Sequence, residues 1–115
     1  MMNWKSIRLE LGHTRDFPAG SVSRAYLLRL PLDDEDRVDA RAFDLDPQRA
    51  TVRRHWSSEP DSRGHIVRHG RDWQMRCNGE MRSLQFYSRP VRLGGEVSVV
   101  DAEGIALPFR ISSIR

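Results

Sequence analysis

The chain has 115 residues, a net charge of +3 and one cysteine, Cys77. This length fits a single domain, and a composition of 38% hydrophobic and 30% charged residues excludes both a disordered tail and a membrane-embedded chain. A lone cysteine excludes an internal disulfide, and Cys77 is interpreted as a small buried hydrophobe. The apolar runs are too short to cross a bilayer and the first residues lack an apolar signal core, so we expect a cytoplasmic protein with no membrane partner.

Two strands are predicted before residue 31. Ile7, Leu9 and Leu11 alternate with polar residues, which is the period of a half-buried strand. Residues 25–30 are apolar enough to form a second strand that is covered on both faces, and Pro31 ends it.

Residues 31–50 form an acidic insertion, with seven acidic and three basic side chains. The run 33–36 is too polar to bury itself. Apolar side chains at helical spacing follow it, at Val38, Ala42, Phe43 and Leu45. Because Asp39 is a good helix N-cap, we predict a short helix or an ordered loop over 39–46.

From Thr51 onward the pattern is again that of strands. Trp73, Met75 and Cys77 alternate with polar residues and lead into Asn78-Gly79, the strongest short hairpin signal in the chain. A two-residue turn there would place Trp73 opposite Leu84 on one apolar face.

The last segment alternates clearly from Ile105 to Ile111. Pro108 interrupts it on the opposite parity, so this strand is predicted to be an edge strand or to carry a bulge.

These elements predict one all-β domain over residues 1–115: a small antiparallel barrel or sandwich of about eight short strands, with the insertion 31–50 as a loop or short helix. A meander sheet packed on the helix is the alternative. The predicted core consists of Ile7, Leu9, Leu28, Val52, Trp73, Leu84, Phe86, Val97, Val99, Leu107, Phe109 and Ile111.

Three segments resemble a family of small bacterial proteins to which no activity is attached. They are Ile7-Arg8-Leu9-Glu10-Leu11-Gly12, Ala50-Thr51-Val52-Arg53-Arg54-His55-Trp56 and Phe109-Arg110-Ile111. The resemblance extends over most of the chain, but it implies no substrate, cofactor or site residue.

The basic charge is concentrated in residues 51–92, which carry nine basic and four acidic side chains. The strand pattern predicts that Arg53, Arg68 and Arg76 point outward from the sheet, and we interpret them as a binding face. An acidic protein surface is the preferred partner, because Tyr87 is the one outward aromatic available to stack on bases. Nucleic acid is the alternative. The arginine-rich composition could also serve solubility alone, and the acidic insertion could screen this face.

No catalytic pattern is visible in the sequence. There is no Gly-x-Ser-x-Gly motif and no histidine that spacing places beside Cys77. His65 and His69 would lie about 13 Å apart in an extended strand, too far to share a metal ion. We therefore predict a protein that is not an enzyme and that carries no metal or cofactor.

Overall fold

The computed structural model describes residues 3–86 and 89–115. The strands are β1 (Asn3–Leu11), β2 (Ser21–Leu32), β3 (Thr51–Trp56), β4 (Ser62–His69), β5 (Asp72–Cys77), β6 (Glu80–Gln85), β7 (Glu96–Val100) and β8 (Ala106–Ile114), with helix α1 (Ala40–Leu45) and a 3-10 turn (Pro47–Arg49) between β2 and β3. Each strand pairs antiparallel with its sequence neighbours, and β8 pairs with β1 to close a barrel. The all-β prediction is confirmed, and the barrel is chosen over the sandwich and the meander sheet.

This up-and-down topology places the connections alternately at the two ends of the barrel. The predicted insertion 31–50 begins later than expected, because β2 continues through Pro31 to Leu32. Residues 33–50, the turn 70–71 and the described residues 86 and 89–95 lie at the end that α1 covers. The opposite end, here called the barrel mouth, is formed by the connections 12–20, 57–61, 78–79 and 101–105.

The hairpin between β5 and β6 turns as the sequence predicts. Asn78 and Gly79 both have positive φ, 51° and 78°, the backbone that a two-residue type I′ turn requires. Trp73 then faces Leu84 in the β5–β6 register, as expected.

Most of the predicted core is buried inside the barrel. Trp73 and Leu107 are only partly buried and pack against that core. The largest fully buried side chain that the prediction omitted is Tyr26, which packs edge-on against Phe109 with ring centroids 5.2 Å apart. Residues 25–30 are apolar on both faces, so their sequence did not show that Tyr26 shares the inward parity of Leu28.

Of the two predicted alternatives for β8, the edge strand is wrong, because closure pairs β8 with both β7 and β1, whereas the bulge or irregularity is present. Pro108 lies opposite Ser98, and its carbonyl accepts a hydrogen bond from the Gly12 backbone N–H at 2.8 Å. The irregularity in β8 lies farther along, where the register with β1 shifts between Ile111 and Ser113.

The predicted short helix is present as α1. The Asp39 side chain caps it by accepting a hydrogen bond from the Ala42 backbone N–H at 3.0 Å. Phe43 is buried and meets the Trp73 ring edge-on, with centroids 5.0 Å apart, so α1 closes the end of the barrel next to β5. In the described part of the chain, no helix has the length and apolar character that crossing a membrane requires.

Candidate functional site

The outer surface of β3, β4 and β5 collects several basic side chains. The register places Arg53 directly opposite Arg63, and His65 opposite Arg76. All four are exposed, and together they are called the outer basic face. Two of the three predicted binding residues, Arg53 and Arg76, therefore lie on one surface.

Arg68 does not lie on the outer basic face. On β4 the odd-numbered residues point outward with Arg63, so Arg68 has the opposite parity and faces Trp73 in the β4–β5 register. Its guanidinium group forms an ion pair with Asp44 on α1 and donates to the Gly70 carbonyl. The predicted outward orientation of Arg68 is wrong, because the β3–β4 register, which the sequence left open, decides which parity faces out.

Arg63 is the basic residue that the sequence interpretation missed. It lies two residues before His65, so it shares that residue's face of β4. A strand extended backward from His65 would have revealed it, because residues two apart in a strand share a face.

A groove of about 530 Å³ runs beside the outer basic face. Its lining combines apolar and basic groups: Ser6, Leu27, Leu28, Arg29, Thr51, Val52, Arg53, Arg63, Gly64 and His65. Leu27 is 39% exposed, so the groove offers an apolar contact beside the guanidinium groups.

One carboxylate partly neutralises the outer basic face. Asp61 accepts hydrogen bonds from Arg53 at 3.1 Å and from His55 at 2.8 Å, and these bonds hold the pKa of Asp61 below its usual range.

The acidic insertion does not supply the expected screening. Among the described residues, the ion pairs of its carboxylates go to Arg37, Arg68 and Arg92, at the covered end of the barrel. It neutralises Arg68, whereas Arg53, Arg63 and Arg76 receive no carboxylate from it.

The described part of this surface carries few stacking groups. Tyr87, the predicted outward aromatic, lies outside the described residues. On the described outward positions of β3, β4 and β5 there is no Phe, Tyr or Trp, since Trp56 and Trp73 have the inward parity and pack against the core.

A second cationic site lies at the barrel mouth, where two arginines have inward parity. Arg54 follows Val52 on the inner face of β3, and Arg82 faces Met75 across the β5–β6 pair. Their side chains are only 13% and 17% exposed. The sequence interpretation named neither, although the spacing of Arg54 from Val52 indicates its direction.

Arg54 contacts the Tyr26 hydroxyl, and Arg82 lines the same recess as Tyr26. Arg54 Nε donates to Tyr26 Oη at 3.3 Å, and both guanidinium charges act on Tyr26 and on the thiol of Cys77. Burial nevertheless raises the pKa of both groups, so at neutral pH the phenol and the thiol keep their protons.

Two recesses share these arginines. One, of about 370 Å³, is polar and is lined by Arg54, Glu59, Pro60, Asp61, Ser62, Arg63, Cys77, Asn78, Glu80 and Arg82. The other, of about 150 Å³, combines polar and apolar groups and is lined by Tyr26, Arg54, Trp56, Arg82, Val99, Asp101, Ile105, Leu107 and Phe109. At the barrel mouth, the guanidinium groups of Arg54 and Arg82 therefore lie next to both polar and apolar side chains.

No cluster of three or more metal-ligating side chains occurs among residues 3–86 and 89–115. Comparisons of the chain with protein-family models, with curated proteins and with solved structures gave no match. What the protein does must therefore be inferred from its own side chains.

Proposed function

We propose that this protein is a cytoplasmic binding module that docks an acidic segment of a partner protein on its outer basic face. The observation that carries the proposal is the placement of Arg53 directly opposite Arg63. Like charges opposite each other destabilise a sheet. Asp61 binds Arg53, but among the described residues no carboxylate binds Arg63, so the pair keeps an excess positive charge. An acidic segment lying across the two strands would offset this repulsion.

The groove beside the face favours a protein partner. Leu27 offers an apolar contact, while Arg29, Arg53 and Arg63 offer charge. A peptide with acidic and apolar side chains matches this mixture. A single-stranded nucleic acid would gain most from aromatic rings that stack on its bases. The described outward positions of β3–β5 carry no Phe, Tyr or Trp.

The test uses a fluorescently labelled polyglutamate peptide at physiological salt. We expect saturable binding by the native chain and a loss of at least about tenfold in affinity when Arg53, Arg63 and Arg76 are all changed to Gln, because three charge-assisted contacts are removed.

A matched triple change of Arg15, Arg41 and Arg110 to Gln removes the same charge from other exposed positions. It should change the affinity by less than about twofold, and equal losses in the two triple variants would reduce the effect to net charge and overturn the proposed face.

A labelled polyuridine strand tests the alternative partner in the same assay. Affinity for single-stranded RNA falls with salt, with a slope of about −0.7 per phosphate contact. Sub-micromolar binding of the RNA at physiological salt, lost in the Arg53, Arg63 and Arg76 triple variant, would replace the acidic protein with nucleic acid as the partner.

A further inference from the structure

The ion-pair partners of the two largely buried arginines at the barrel mouth can be displaced. Arg54 contacts Glu59 at 3.5 Å, and Arg82 forms an ion pair with Glu80. The arginines are largely buried, whereas the glutamate side chains are 53% and 65% exposed. An exposed carboxylate on a flexible side chain gains little from such a pair and can turn into solvent. The two arginines can therefore exchange these carboxylates for another anion.

Tyr26 supplies a third donor at the same place. Its buried hydroxyl oxygen accepts the hydrogen bond from Arg54 Nε, so the hydroxyl hydrogen remains to be donated. Among the described residues no acceptor takes that hydrogen. A neutral phenol beside the Arg54 guanidinium group, in a recess that Arg82 also lines, is suited to donate to an anion.

The smaller recess extends the site to an apolar group. Trp56, Leu107 and Ile105 line it beside both arginines, and the Arg54 guanidinium group lies over the Trp56 ring at 4.3 Å from its centroid. A volume of about 150 Å³ admits a compact ring or a short branched chain, while a long acyl chain would exceed it. The barrel beyond is filled by Tyr26 and Phe109.

We propose that the barrel mouth binds a small organic carboxylate with a compact apolar group. Arg54, Arg82 and Tyr26 hold the carboxylate, and the apolar group lies against Trp56 and Leu107. A carboxylate is preferred to a phosphate because the two arginines already bind carboxylates, those of Glu59 and Glu80, and because the planar guanidinium group matches that geometry. This site is separate from the outer basic face and does not depend on the proposed docking function.

The experiment is a calorimetric titration of the full chain with benzoate, with benzamide as the neutral analogue and inorganic phosphate as the other anion. Benzoate should bind saturably, and benzamide and phosphate at least about tenfold more weakly. Changing Arg82 to Gln should weaken benzoate binding at least about tenfold, and changing Tyr26 to Phe should weaken it about threefold to tenfold. The matched control is Arg15→Gln, since Arg15 is an exposed residue of the mouth connection 12–20 that lines neither recess, and it should change affinity less than about twofold.

A gain of binding separates the proposal from damage to the fold. Changing Glu80 to Gln removes a competing carboxylate while keeping the side-chain shape, so benzoate affinity should rise about threefold or more. An unfolded or loosened variant would not bind benzoate more tightly.

Three results would overturn the site. Absence of benzoate binding in both the native chain and the Glu80→Gln variant would remove it. If benzamide bound as tightly as benzoate, the arginines would not hold an anion. If phosphate bound more tightly than benzoate, the ligand class would be phosphate and not carboxylate.

Discussion

Gly64 lies where β4 approaches the backbone of β5 closely, and replacing it with alanine tests that geometry. It pairs with Val52 on one side and with Cys77 on the other. A Cβ atom at this position would lie 1.6 Å from the Arg76 carbonyl oxygen and 3.0 Å from the Cys77 Cα atom. Both obstacles are backbone of β5, so no side-chain rotation relieves the overlap.

The cost follows from what must move. Overpacking in a core typically costs about 1–3 kcal/mol even when side chains can yield. Here β4 must shift away from β5, which also weakens ladder hydrogen bonds worth about 1 kcal/mol each. The gain from stiffening the unfolded chain is only about 0.4–1 kcal/mol, so the clash dominates. We expect a loss of at least about 3 kcal/mol in the free energy of unfolding. With an unfolding entropy of about 2.1 cal/mol/K per residue over 115 residues, that corresponds to a fall in Tm of about 12 °C.

Thermal unfolding followed by circular dichroism measures the effect, with Gly70→Ala as the control. A Cβ at Gly70 meets no atom within 4 Å, and its φ of 62° leaves only left-handed backbone strain, worth about 1–2 kcal/mol. If the Tm of Gly64→Ala falls no further than that of Gly70→Ala, the close approach of β4 and β5 is wrong.

Three further predictions address the core, the ion pairs and the covered end. Phe109 is fully buried against Tyr26, so Phe109→Ala should lower the free energy of unfolding by about 3–5 kcal/mol; an unchanged urea midpoint would contradict that packing. Asp61 has a pKa below its ordinary 3.8, so it stabilises the fold above that pH, and this contribution disappears as pH falls through the lowered pKa. The acid limb of a stability–pH profile should therefore be shallower in Asp61→Asn, and identical limbs would refute the contact. Arg68→Ala should speed amide hydrogen exchange in residues 40–45, because it removes the ion pair that holds α1. The free energy of unfolding should change by less than about 1 kcal/mol, because the barrel stays closed. Exchange equal to that of a control Arg41→Ala variant would show that Arg68 does not hold the helix.

Local chemistry determined the elements of this fold. Asn78-Gly79 accepts the positive φ angles of a tight turn, and this fixes the β5–β6 register without help from the rest of the chain. Alternation of apolar and polar residues identified the inward parity of β1, β5 and β8, because only one face of each strand meets the core. Asp39 marked the start of α1 for an equally local reason, the capping of its first turn.

The sites depended on contacts between strands that are distant in sequence. Arg53, Arg63 and Arg76 become neighbours only when the β3–β4 and β4–β5 registers are set. Those registers follow a longer loop and a glycine-permitted close approach, neither of which the sequence specifies. A shift of one residue in strand register reverses the face of every side chain on that strand. For this reason the sequence alone did not show that Arg68 has inward parity and pairs with Asp44 on α1. Arg54 and Arg82 come from strands separated by two others, so their meeting beside Tyr26 was decided by closure of the barrel.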